Sequence, residues 1–369
     1  MRVVVKGTAA ALVAEGLSKL AGGTAESNER AVALFERALS VYAGFAAAYM
    51  GLAKAYVQRT DDLLLGRSWL EPAVMAGKRA VELYPSLGDA YLALGRAYRI
   101  KGWLREELQL WRRRAQLDPT DTDASERLGW VLWFTGRADE ALPWLRAAVA
   151  LRPESSWTHF YLGNANLALR DYGEAERMYG RALELHPDHS SAQAGVIWSL
   201  LAAGRDEEAR SHLRRFQTGS FDGDRYPLKL ADIEHFVGED ENASLHAREA
   251  LAEPARDSRW RGAERYWPRG FLASTILGAL LWPADRAGAE EQLGYSEKID
   301  RERLDGGDQG YMPHIDLAAV QAVRGGARAA CRWLRTSIAA GWRYPSLGAR
   351  DRLFENLRTD REFLSLVAA

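Results

Sequence analysis

The feature that most constrains this chain is a period of 34 residues. Leu94-Gly95, Leu128-Gly129 and Leu162-Gly163 are each one period apart, as are Pro85, Pro119, Pro153 and Pro187. Ala141, Ala175, Ala209 and Ala243 keep the same step, and so do Gly102 and Gly136, then Gly204 and Gly238, with Arg170 in the place of a fifth glycine. A period of this length means that one supersecondary unit is stacked on copies of itself, because a single unit cannot bury its own apolar face. A chain of 369 residues accommodates one elongated array as readily as two globular domains.

Inside each unit the apolar residues recur at three and four. Leu128, Val131 and Leu132, then Ala141, Leu142, Leu145 and Ala148, describe two amphipathic helices. The glycine of FTGRADEA between them permits a tight turn in a backbone conformation other residues resist. Proline closes the second helix, since it cannot continue the hydrogen-bonded ladder. Small residues at Gly129 and Ala141 allow the two helices to approach closely.

In the unit from Gly88 to Asp121 the series Tyr91, Leu94, Gly95, Tyr98, Gly102, Trp111 and Pro119 resembles the tetratricopeptide repeat. Four consecutive units, Gly88 to Gly223, stay in phase, and a fifth from Asp224 keeps Leu230, Gly238, Ala243, Ala247 and Ala250. Upstream, Ala31, Phe35, Ala38, Tyr49, Leu52 and Tyr56 fit more loosely. The alanine expected at 65 stands at Ala73, an insertion of about eight residues around TDDLLLGRSWLEP. Downstream, TILGALLWPADRAGAEEQL and LAAVQAVRGGARAACRWL read as two degenerate helical pairs. The tail LFENLRTDREFLSLV resembles the closing segment of bacterial arrays of the kind attached to regulators.

The resemblance implies an all-α protein, a right-handed α-solenoid of about nine helix-turn-helix repeats with a C-terminal capping segment, because the last repeat otherwise exposes its apolar face. The expected divisions are 1–87 for divergent repeats with the insertion, 88–257 for the regular repeats, 258–344 for the degenerate pairs and 345–369 for the capping helices. Three stretches break the period in the C-terminal half: TGSFDGDRYP, EPARDSRWRGAERYWPRG and DGGDQGYMP. They read either as flexible hinges or as a second binding edge.

Catalytic constellations are not expected. The paired-aspartate spelling in DPTDTDAS lies between helices in repeat phase, where an Asp or Thr caps a helix N-terminus. His186 and His189 in HPDH have no second pair at metal-ligand spacing, and LDGGDQG lacks the terminal glutamate of a calcium loop and reads as a flexible connection. No phosphate-cradling Gly-Lys loop or GxSxG elbow occurs. No metal, cofactor or enzymatic activity is therefore expected. A net charge of −1 argues against nucleic acid as the main partner. The lone Cys331 excludes an internal disulfide. Lys6 and Glu15 interrupt any leader-like apolar run, and no segment reaches membrane-spanning length, so a cytoplasmic location is expected.

What remains is a surface. The resemblance implies that the first helix of each unit lines a concave groove. Residues on its free face are Arg127, Trp130, Trp133 and Phe134 in one unit and Trp157, Phe160, Tyr161 and Asn164 in the next. Arg96 and Arg99 lie before them and Trp198 after. Aromatic and arginine side chains are common anchors of binding, so the expected partner is a protein or peptide with an apolar anchor and an acidic group. Two other readings stay open for these residues: the rings pack as core, or Arg96, Arg99 and Arg127 form a solvated face paired with Asp89, Asp123 and Glu126. Arrays that clamp a terminal carboxylate use Lys and Asn. Asn164 stands at one such position, but Gly195 holds the place of the next. A regulatory module of a bacterial signalling system and a small-molecule or sugar-binding scaffold are the alternative functions.

Overall fold

The computed structural model describes residues 2–63, 65–219, 226–252 and 270–368. Among them all regular structure is helical. Most of TGSFDGDRYP and of EPARDSRWRGAERYWPRG lies outside the described residues. The chain forms two compact units divided after Pro119.

The first unit contains α1 (Arg2–Leu20), α2 (Ala25–Val41), α3 (Ala46–Asp61), a 3-10 turn (Arg67–Trp69), α4 (Leu70–Leu83), α5 (Gly88–Lys101) and α6 (Leu104–Leu117). They pair as three hairpins, α1 with α2, α3 with α4 and α5 with α6. Phe35 is the centre of the first contact. It fits because Gly16 and Gly51 lack side chains; a Cβ at either comes within 2.5 Å of its ring. The inserted segment is folded onto the array, with Trp69 stacked 5.5 Å from Tyr56 and covered by the Arg59 guanidinium at 4.3 Å.

The second unit continues with α7 (Thr122–Phe134), α8 (Ala138–Leu151), α9 (Ser156–Ala168), α10 (Tyr172–Leu185), α11 (Ser190–Ala202), α12 (Asp206–Thr218), α13 (Tyr226–Val237) and α14 (Asp240–Ala252). Then follow α15 (Ala273–Leu281), α16 (Arg286–Asp305), α17 (Met312–Val323), α18 (Ala327–Ala339), α19 (Pro345–Arg350), a 3-10 segment (Arg352–Leu357) and α20 (Arg361–Ala368). Six hairpins run from α7/α8 to α17/α18, so the described residues hold nine in all and the fold is an α-solenoid of helix-turn-helix repeats.

The period is visible as geometry. First helices start at phased caps: Asp121, Ser155 and His189 each accept from the backbone N–H three residues on, at 2.9, 3.2 and 3.4 Å. Hairpin turns at Gly102, Gly136, Gly204 and Gly238 have φ of 75°, 76°, 77° and 88°, and Arg170 takes the same left-handed conformation at 65° without being glycine. Helices α4, α6, α8 and α10 each stop two residues before the phased proline.

The tail caps the array as expected. Phe354, Leu357 and Phe363 are buried against the last hairpin. DGGDQG differs from the expected flexible connection. Arg303 donates from Nε and Nη2 to the buried Asp308 Oδ2 at 2.8 and 2.6 Å, and Asp308 Oδ1 accepts from the Gly310 N–H at 2.8 Å. Polar composition suggests a loose loop there, but a doubly anchored carboxylate fixes it. No helix among the described residues is long and apolar enough to cross a membrane.

Candidate protein-interaction surface

The two arginines of the first unit are spoken for by carboxylates. Arg96 donates to Asp61 at 2.5 and 2.9 Å and to Asp62 at 2.9 Å. Burial opposes its charge, yet the two aspartates outweigh that and raise its pKa. Arg99, at the end of α5, donates to Glu107 at 2.9 and 3.2 Å, and Trp111 donates to the same fully buried carboxylate at 3.2 Å. Asp89 pairs with Lys54 at 2.6 Å rather than with either arginine. Arg96 keeps about half its side chain in solvent, whereas Arg99 is mostly enclosed.

In the second unit α7 carries Trp130, Trp133 and Phe134 at three-and-four spacing, and all three are buried. Trp130 stacks on Phe134 at 5.0 Å and Trp133 meets Phe134 edge-on at 5.9 Å. Their outer side is covered by residues far along the chain. Tyr311 lies 5.3 Å from Phe134, and Trp133 Nε1 donates to the Tyr344 hydroxyl at 3.1 Å. Trp198 is likewise enclosed, edge-on against Phe236 at 5.3 Å. A face that a periodicity argument leaves free is thus filled from within, as apolar surface requires when the chain can reach it.

On α9 the picture changes. Phe160 and Tyr161 are mostly buried and Asn164 wholly so, but Trp157 is 48% exposed. Its inner edge rests on His189 at 4.3 Å, Phe160 at 5.7 Å and Tyr161 at 6.0 Å. Beneath them Tyr179 donates to Asn164 Oδ1 at 2.8 Å, and the Asn164 amide nitrogen has no hydrogen-bond partner among the described residues. Tyr179 also explains Gly195: a Cβ there meets the ring at 2.7 Å, as it does at Gly163 at 2.5 Å. Arg127, one repeat back, is 28% exposed and 3.8 Å from Glu126, whose other oxygen takes the Thr158 hydroxyl at 2.5 Å. Asp123 pairs instead with Arg152 at 3.2 Å. Trp157, Tyr161 and Arg127 therefore stand on successive first helices, α9 and α7, over a packed floor.

The tail adds contacts that sequence reasoning missed. From Gly341 to Arg352 the chain forms a strap that touches four successive hairpins near the starts of their second helices. Gly341 lies backbone to backbone against Gly136, so close that a Cβ on either falls within 2.7 Å of the other turn. Ser346 reaches the Tyr172 hydroxyl at 3.5 Å. Arg350 binds the Leu201 carbonyl and the Asp206 carboxylate, the latter at 2.6 and 2.7 Å. Arg352 binds the His235 carbonyl at 2.9 Å and the Asp240 carboxylate at 2.9 Å. Residues 201 and 235, and 206 and 240, are one period apart: two repeats offer the same pair of acceptors. Arg352's hydrogen bond holds the Asp240 carboxyl below its usual range. The only sequence signal was the pair of arginines shortly after Pro345, which no periodicity singles out.

No three His, Cys, Asp or Glu side chains among the described residues are grouped to hold a metal. His186 and His189 lie 5.6 Å apart as rings, with His189 committed to capping α11.

A family model described as the tetratricopeptide repeat matches residues 108–156 and 161–224. A search of curated proteins finds no match. Solved structures similar to the chain include YrrB, described as a TPR protein with an unusual peptide-binding site, at 23% identity, with 58% of this chain and 97% of that one covered and a TM-score of 0.40. PilF of Pseudomonas aeruginosa aligns at 21% identity over 57% of this chain and 92% of its own, TM-score 0.43. TTC0263, a TPR protein of Thermus thermophilus, aligns at 25% over 52% and 99%, TM-score 0.40.

Proposed function

Because the chain carries tetratricopeptide repeats, we propose that it is a non-enzymatic protein-interaction scaffold that holds a peptide or protein segment on the first-helix face of its repeats. The observation that carries this reading is Trp157, a half-exposed indole at the start of the first helix α9, braced on its inner side by His189, Phe160 and Tyr161. A rigid ring that stays in water on one face loses little conformational entropy when a partner covers it. Arg127 stands one repeat away and, among the described residues, has only a long contact to Glu126, so its guanidinium can take a partner carboxylate. The partner is then a segment with an apolar side chain for Trp157 and an acidic group for Arg127.

The other residues of the face enter the proposal as support. Phe160 packs against Trp157, and Trp130, Trp133, Phe134, Asn164 and Trp198 are buried and stiffen the first helices from within, while Arg96 and Arg99 of the first unit are already paired with carboxylates. The test is a peptide-display selection against the wild-type chain, with the selected peptides then titrated by fluorescence anisotropy. Trp157→Ala is expected to weaken binding by about tenfold to thirtyfold, or about 1.5–2 kcal/mol. Arg127→Glu is expected to abolish binding of acidic peptides while circular dichroism stays unchanged. Peptides that bind both variants as tightly as wild type place the site elsewhere.

A further inference from the structure

A cleft of about 610 Å³ opens in the second unit where the ends of α13, α15 and α17 meet the 3-10 segment. Its walls include Glu241, Leu281, Trp282, Leu353 and Glu355, and Asp240 and Arg352 form its border with the strap. We propose that this cleft receives the guanidinium of an arginine on an extended segment of a partner protein.

The strap supplies the template. At two successive hairpins an arginine is held by the same pair of groups, a carbonyl at the end of the first helix and an aspartate at the start of the second. The cleft lies between the α13/α14 turn that holds Arg352 and the end of α15, the next first helix along, whose terminal carbonyls the strap does not reach because the chain turns into the 3-10 segment after Arg352. Elsewhere, too, first-helix ends are met by arginine: Arg67 donates to the Ile100 carbonyl and Arg210 to that of Val237. A helix C-terminus presents unpaired carbonyls with partial negative charge, which is what a planar cation with several donors satisfies.

Three observations at the cleft extend that pattern. Pro283 has no N–H, so it cannot return a hydrogen bond to the Ala279 carbonyl one turn earlier, and that acceptor is left at the cleft wall. Glu241 and Glu355 are exposed, and neither has an ion-pair partner within 4 Å among the described residues. Trp282 already carries one guanidinium, that of Arg286, 3.9 Å from its ring, so the indole is placed for cation–π contact. Leu281 and Leu353 make the remaining wall apolar, which suits an aliphatic neighbour of the incoming arginine. The inference does not depend on the Trp157 surface.

The probe is Nα-acetyl-arginine N-methylamide, followed by saturation-transfer NMR on the full chain, with the citrulline and lysine analogues as controls. Citrulline keeps the shape and removes the charge, and lysine keeps the charge and removes the fork. The arginine probe is expected to bind, with citrulline silent and lysine at least about fivefold weaker. Glu241→Gln with Glu355→Gln, both surface changes, is expected to weaken the arginine probe by about fivefold or more, and Trp282→Leu to do so without changing net charge. Equal binding of citrulline, equal binding of lysine, or full binding by the double variant overturns the proposal.

Discussion

At the scale of single residues, Arg170 is the clearest departure from the repeat's own rule. Four sister turns use glycine for the left-handed conformation, and Arg170 adopts it with a side chain attached. That conformation costs an L-residue about 1–2 kcal/mol. Arg170→Gly is therefore expected to raise stability by about 1 kcal/mol, measured by urea unfolding, after the greater freedom of glycine in the unfolded chain is subtracted. An unchanged midpoint means that the arginine's own contacts offset the strain. Gly195 shows the opposite constraint. Its missing side chain makes room for Tyr179, so the residue that spoils a carboxylate clamp in the sequence does so for a packing reason.

Among elements, the strap carries the greatest consequence. Its apolar part, Trp342, Tyr344 and Leu347, is buried, so the segment is bound and not merely draped. Its polar part is two half-exposed ion pairs, each worth about 0.5–1 kcal/mol. Arg350→Ala with Arg352→Ala is expected to cost the second unit about 1–2 kcal/mol in low salt and less in high salt. The pH dependence follows from Asp240, whose folded pKa is depressed by Arg352. Its contribution is present above the ordinary carboxylate range and is lost as pH falls through the folded value. The gap between wild type and Arg352→Ala is therefore expected to narrow in acid, which urea titrations across pH will check; a gap of unchanged size there removes Asp240 as the cause.

The repeat itself was legible at this scale. Turn glycines, terminal prolines and the aspartate cap at 121 all sit where the 34-residue step puts them. The aromatic face was only half legible. Period places Trp130, Trp133 and Phe134 on one side of α7, but whether that side meets solvent depends on Tyr311 and Tyr344, about 180–210 residues away, and no local pattern records such a contact. Among the described residues nothing of that kind reaches Trp157, which stays half exposed.

For the molecule as a whole, stacked repeats ordinarily interact only with their neighbours, so one can be removed and the rest closes up. The second unit has a long-range term that ordinary arrays lack. Deleting residues 172–205, one full period, brings Asp240 to the place of Asp206. The deletion is expected to cost more than about 3 kcal/mol and to remove amide protection from the strap in hydrogen exchange. A shortened chain whose strap remains protected shows that neighbour contacts suffice.

Gly341 must meet Gly136 while Arg352, eleven residues later, must meet Asp240, three periods on. The strap is in that sense a ruler: duplication or loss of a repeat between those marks, the usual route by which such arrays change length, leaves it reading the wrong divisions.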